Sequence, residues 1–130
     1  MEAHFNNNNV FIRSVASRGH LGGLSTRIYE MADVLSNAHF DYIFIETVGV
    51  GQSEVEIAGI ADITAVVLVP EAGDDVQAMK SGVMEIADVF VVNKSDRDGA
   101  KKFASTLKAL IHTQDRKVEV ISTVATRSEG

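Results

Sequence analysis

Asn93-Lys94-Ser95-Asp96 follows directly on the apolar run Val89-Phe90-Val91-Val92. A buried strand that ends in Asn-Lys-x-Asp sets a carboxylate where a purine base can lie. Asp96 can then accept two hydrogen bonds, from the ring N–H and the exocyclic amine of guanine. Adenine lacks that donor pair and would leave a desolvated carboxylate unpaired, which is a costly mismatch. The Lys94 stem can cover the face of the base, and Asn93 can tie this loop to neighbouring loops. Taken alone, the tetrapeptide is also an ordinary strand followed by a polar turn.

A second pattern, whose carboxylate Glu46 lies 47 residues before Asn93, is Asp41-Tyr42-Ile43-Phe44-Ile45-Glu46-Thr47-Val48-Gly49. An apolar strand delivers a carboxylate, and a glycine follows three residues on. In nucleotide hydrolases a carboxylate at this place holds Mg²⁺, directly or through water. The glycine lets a backbone N–H approach the terminal phosphate with no Cβ in the way. Each feature also has a plain reading, Glu46 as a solvated strand end and Gly49 as a turn. Together with Asn-Lys-x-Asp downstream, they read as a GTPase. Gln52 is a further catalytic candidate, although Val50 stands where many GTPases place a water-orienting glutamine. Slow intrinsic hydrolysis is the expectation.

Composition bounds this reading. The chain has 130 residues, enough for one domain, and 45% of them are apolar. Its net charge of −6 is wrong for a nucleic-acid-binding surface, which needs a basic stripe. With no cysteine, there is neither a disulfide framework nor a thiolate metal site. The four histidines show no metal-ligand spacing. The first residues form no apolar signal region, and no apolar run reaches the length of a membrane span. A soluble, cytoplasmic protein is expected.

The elements that must position these groups alternate along the chain. Strands are expected over 10–15, 42–46, 63–69, 88–92 and 118–121. Helices are expected over 24–37, near 53–59, and over 75–86 and 99–112. Leu24, Ile28, Met31, Ala32 and Leu35 share one helical face, as do Val76, Met79, Val83 and Ile86. Phe103, Leu107, Leu110 and Ile111 form the inward stripe of the last helix. This alternation predicts an α/β fold, a mainly parallel sheet with helices on both faces. Right-handed crossovers bring the strands' C-terminal ends to one edge, where Glu46, Pro70, Asn93 and Ser122 would converge.

The longer phrases Arg18-Gly19-His20-Leu21-Gly22-Gly23-Leu24, Glu46-Thr47-Val48-Gly49-Val50-Gly51-Gln52-Ser53-Glu54 and Glu71-Ala72-Gly73-Asp74-Asp75-Val76-Gln77 add to Asn93–Asp96. With them the chain resembles the MeaB/ArgK group of P-loop GTPases from about Val10 to Gly130. The resemblance implies GTP and GDP as ligands, Mg²⁺ as cofactor, and an adenosylcobalamin-dependent methylmalonyl-CoA mutase as partner. Such proteins act as chaperones that gate cofactor loading or protection of the mutase. By that resemblance Glu46 is the Mg²⁺-associated carboxylate and Gly49 the γ-phosphate sensor. Val50, Gly51, Ser53 and Glu54 belong to switch II. Gly73, Asp74, Asp75, Gln77 and Lys80 belong to an additional switch loop that signals to the mutase. Asn93, Lys94 and Asp96 carry guanine specificity. Ser122, Thr123 and Val124 sit where a backbone amide would meet guanine O6.

The family's Gly-x-x-Gly-x-Gly-Lys-Ser/Thr loop does not occur in these 130 residues. That loop supplies the phosphate cradle, its lysine and a Mg²⁺ hydroxyl. The switch I carboxylates are missing too, as is the family's dimerisation arm, through which the intact protein would pair as a homodimer. The expectation is therefore a partial G domain over residues 1–130 that hydrolyses GTP poorly or not at all on its own. Two other classes stay open. One is a non-catalytic module that presents its switch segments to a mutase-like partner; the other is an ATP-driven transport or kinase component, against which Asp96 argues. A dinucleotide-binding dehydrogenase fits less well, because Gly49-Val50-Gly51 is not completed by a third glycine.

Overall fold

Val89–Val92 is the centre of the architecture: it pairs with a strand on each edge, and its side chains alternate between half-buried and buried because one face of the sheet is covered more than the other. The structure, a computed structural model, describes residues 4, 7–15, 27–47, 58–70, 82–112 and 117–130. It divides into two units, Met1–Ser53 and Glu54–Gly130.

The second unit holds a three-stranded sheet in the order β1 (Ala65–Leu68), β2 (Val89–Val92), β3 (Glu119–Ser122). Both pairings are parallel. Helix α2 (Val83–Ile86) precedes β2, and α3 (Ala100–His112) makes the crossover to β3. Parallel neighbours cannot be joined by a hairpin, so each needs such a crossover. The register aligns Leu68 with Val92 and Val92 with Ser122. All three strands therefore end level, at one edge of the sheet.

The core forms where the helices meet one face of the sheet. Leu68, Phe90 and Val92 pack with Met84 and Ala87 and with Ala104, Leu107 and Ile111 of α3. Val66, Phe103, Val118 and Val120 close its margins. On α3 the buried positions are Ala100, Ala104, Leu107 and Ile111. Leu110, expected inward, is 42% exposed. At ~100° per residue it lies about 90° from the centre of that stripe, and Ala104 packs into the cluster with the strands instead. Small side chains let the helix approach the sheet closely, a feature that a count of large apolar residues overlooks.

The entry to the sheet is fastened by polar groups. The Thr64 N–H donates to Asp88 Oδ2 at 2.8 Å, and the Asp88 N–H donates back to the Thr64 carbonyl at 2.9 Å. Thr64 is buried, so these bonds satisfy backbone that water does not reach.

In the first unit, α1 (Ile28–Ser36) presents Ile28, Met31, Ala32 and Leu35 on its less exposed side, as the periodicity predicts. Its C-terminus is closed by Asn37, whose backbone N–H and side-chain Nδ2 both reach the Asp33 carbonyl. The strands expected over 10–15 and 42–46 are not formed: both segments are described, and neither is paired in a ladder. The second still alternates, with Ile43 and Ile45 half-buried and Tyr42, Phe44 and Glu46 exposed. Alternating exposure does not by itself make a strand, which also requires a hydrogen-bonded neighbour. Rings in this unit pair, Tyr42 with Phe44 two positions on at 6.4 Å and Phe11 with Phe40 across 29 positions at 6.5 Å between centroids. Among the described residues, no helix is long and apolar enough to cross a membrane.

Candidate guanine-binding edge

The level strand ends of the second unit are sewn together by hydrogen bonds that run across the chain. The Asn93 N–H donates to the Leu68 carbonyl at 2.9 Å, which joins the end of β2 to that of β1. The Thr123 N–H donates to the Val92 carbonyl at 2.9 Å, and the Ser95 N–H donates to the Thr123 carbonyl at 3.0 Å. Ser95 Oγ also donates to the Val92 carbonyl at 2.6 Å. Three loop starts thus become one surface, held by backbone rather than by long side chains.

Asn93 ties that surface a second time. Its Oδ1 accepts from Thr123 Oγ1 at 3.2 Å and from the Ala125 N–H at 3.2 Å. A side-chain amide has the reach and the two lone pairs for this task. Both donors stay within reach of water, so Asn93→Ala should cost about 0.5–1.5 kcal/mol. Asn93→Asp, which keeps an acceptor, should cost less. Urea denaturation of the two variants checks this, and equal stability of Asn93→Ala and wild type would show that the tie contributes nothing.

Beyond Asn93 the backbone turns sharply. Lys94 adopts φ 56°, in the left-handed region that a non-glycine residue enters at a cost of about 1–2 kcal/mol. The turn continues with the Arg97 N–H donating to the Lys94 carbonyl at 3.1 Å. This geometry leaves the Lys94 side chain exposed and carries Asp96 to the same edge. The Asp96 side chain retains 33% exposure, and its Oδ2 lies 3.2 Å from Arg127 Nη2.

After β3 the chain forms a small closed loop. The Val124 N–H donates to the Glu129 carbonyl at 2.9 Å, and a single 3-10 turn spans Ala125–Arg127. Ser128 closes it at φ 55°. Ser122, Thr123 and Val124 therefore stand beside the Asn93–Asp96 turn. The Thr123 and Val124 amides are already committed to protein carbonyls, so neither is left to meet a ligand in this arrangement. Ala125, Ser95 and Arg127 were absent from the sequence-based set. The serine was legible as a turn hydroxyl inside its tetrapeptide, but nothing in the linear order marks Arg127, 31 residues from Asp96.

Glu46 lies in the first unit as an exposed carboxylate at the end of the apolar segment 42–46. Gly49, Val50, Gly51, Gln52, Ser53, Glu54, Gly73, Asp74, Asp75, Gln77 and Lys80 lie outside the described residues. Among the described residues, no group of three or more histidine, aspartate or glutamate side chains could hold a metal ion. Glu46 brings one exposed carboxylate, a donor of the type Mg²⁺ takes, since Mg²⁺ is commonly held by one or two carboxylates and completed by water and phosphate oxygens.

Comparison with known proteins decides the lineage. The family model described as methylmalonyl-CoA mutase-associated GTPase MeaB matches residues 1–130. The chain belongs to the MeaB family. A relative from Pyrococcus horikoshii is 45% identical over 137 aligned residues, spanning 100% of this chain and 43% of its own. The GTPase ArgK of Escherichia coli is 48% identical over 68% of this chain and 27% of its own. The mitochondrial methylmalonic aciduria type A homolog of Caenorhabditis elegans is 40% identical over 71% of this chain and 23% of its own. The chain thus spans less than half the length of these MeaB-family relatives. The three-stranded parallel sheet with its crossover helix is consistent with the α/β P-loop NTPase fold of this family.

Proposed function

We propose that this chain supplies the base-reading part of a MeaB-family GTPase that serves a methylmalonyl-CoA mutase. The observation that carries the reading is the Asn93 tie: one side chain locks the loops after β2 and β3 together, and Asp96 projects from the locked turn. Guanine would place its ring N–H and exocyclic amine against the Asp96 carboxylate. The Lys94 methylenes would lie along the base, with Ser122, Thr123 and Val124 beside it. Family membership and relatives named as GTPases support the guanine preference.

On the same reading, Glu46 would help hold Mg²⁺, which when bound neutralises charge that develops on the phosphates. Gly49 would present its amide to the γ-phosphate, and Gln52 would lie near the attacking water. Val50, Gly51, Ser53 and Glu54 would respond to the phosphate as switch II. Gly73, Asp74, Asp75, Gln77 and Lys80 would carry that state to the mutase. The description of the family and the methylmalonic aciduria type A homolog support this partner.

Binding of GDP and ADP to the chain, followed by amide chemical shifts to reach millimolar affinities, tests the proposal. GDP should shift Lys94–Asp96 and Ser122–Ala125 at concentrations where ADP does not, a preference of about tenfold or more. Equal responses to the two nucleotides would remove the guanine reading.

A further inference from the structure

Arg127 is joined to the base-reading turn without belonging to it. Its guanidinium meets Asp96 through one nitrogen and one oxygen, Nη2 to Oδ2 at 3.2 Å. Among the described residues, none donates to Oδ1. A carboxylate that reads guanine must present both oxygens in the plane of the base, one to the ring N–H and one to the amine. Free rotation about the Cβ–Cγ bond works against this. A cation held against one oxygen biases that rotation towards one attitude, and each oxygen has a second lone pair for a ligand.

The backbone that carries Arg127 is fixed by the fold. It ends the 3-10 turn Ala125–Arg127, whose first N–H is bonded to Asn93 Oδ1. Val124 and Glu129 close the loop beneath it through paired backbone bonds of 2.9 and 3.4 Å. The Arg127 backbone N–H is bonded to the Val124 carbonyl at 2.9 Å. The turn that carries Arg127 and the turn that carries Asp96 are therefore parts of one bonded assembly. As a contribution to stability such a pair is small, because the arginine side chain is 58% exposed and solvent screens it. Its geometry suits orientation better than strength.

The geometry points to Arg127 as a positioning residue for guanine specificity, a brace that holds the Asp96 carboxylate in the attitude needed for a two-point contact with the base. This rests on the guanine reading of Asp96. Arg127 touches the carboxylate and not the ligand. Its signature is therefore in discrimination between purines, not in phosphate affinity or in fold stability.

Inosine diphosphate provides the probe, since inosine keeps the ring N–H of guanine and lacks the amine. Amide-shift titrations with GDP and IDP would be run on the wild-type chain, Arg127→Ala, Arg127→Lys and Asp96→Asn. Wild type should prefer GDP to IDP, and Arg127→Ala should shrink that ratio by about threefold to fivefold. Arg127→Lys, which keeps the charge, should recover part of it. An unchanged ratio in Arg127→Ala, with Asp96→Asn still losing the preference, would overturn the brace and leave the guanine reading standing. Tighter GDP binding by Arg127→Ala would overturn it as well, since the arginine would then be competing for the carboxylate. Wild type without a preference, together with an inert Asp96→Asn, would remove the guanine reading and the brace with it.

Discussion

Asp96→Asn should weaken GDP binding by about a hundredfold while leaving the fold intact. The carboxylate offers two acceptors to the two donors of guanine, and a hydrogen bond to a charged group is worth about 1.5–3 kcal/mol. An amide supplies one acceptor and one donor group, so one contact is lost and the amide N–H is turned against a guanine donor. The same change should favour a xanthine nucleotide, which carries a carbonyl where guanine has its amine. The fold should survive because the pair with Arg127 is exposed and contributes little to stability. Titration with GDP and XDP, followed at Lys94–Asp96, checks both halves. Undiminished GDP affinity in Asp96→Asn would end the assignment of this residue to the base.

Phe90→Ala should be the most destabilising single change in the second unit. Phe90 is among the largest fully buried side chains, on the central strand, and Leu107 of α3 is buried in the same cluster. Truncation of such a phenylalanine costs about 3–5 kcal/mol, a large share of the about 5–15 kcal/mol by which domains are stable. The β2 ladder to both neighbours passes through this residue, so β1 and β3 would lose their common partner if it unravelled. Urea denaturation followed by far-UV circular dichroism should show a midpoint much reduced or no folded baseline at all. Leu110→Ala, at an exposed position of α3, is the control and should cost under about 1 kcal/mol. A Phe90 variant as stable as the Leu110 variant would mean that the core lies elsewhere.

The parallel α/β character was legible in the chain because buried parallel strands are short, nearly continuous apolar runs separated by helical periodicity. Val89–Val92 and the helix of residues 100–112 follow that rule to within a residue or two. The segments 10–15 and 42–46 carry the same apolar signal and form no ladder. Pattern reports what a segment could bury, whereas pairing depends on a neighbour that is remote in sequence. Leu110 and Ala104 show the same limit inside one helix. Hydropathy ranks leucine above alanine as a core residue, but the sheet surface selects the positions that face it and rewards close approach.

For the candidate edge, the residue types that can bond a purine were determined by the sequence alone, since Asn93, Lys94 and Asp96 stand together in one turn and their chemistry is intrinsic. Which groups hold that turn in place was decided only by the tertiary structure. Asn93 reaches Ala125 across 32 positions, and Arg127 reaches Asp96 across 31. Those contacts exist because parallel register brings the ends of β2 and β3 level, and register is a property of paired strands rather than of any one segment.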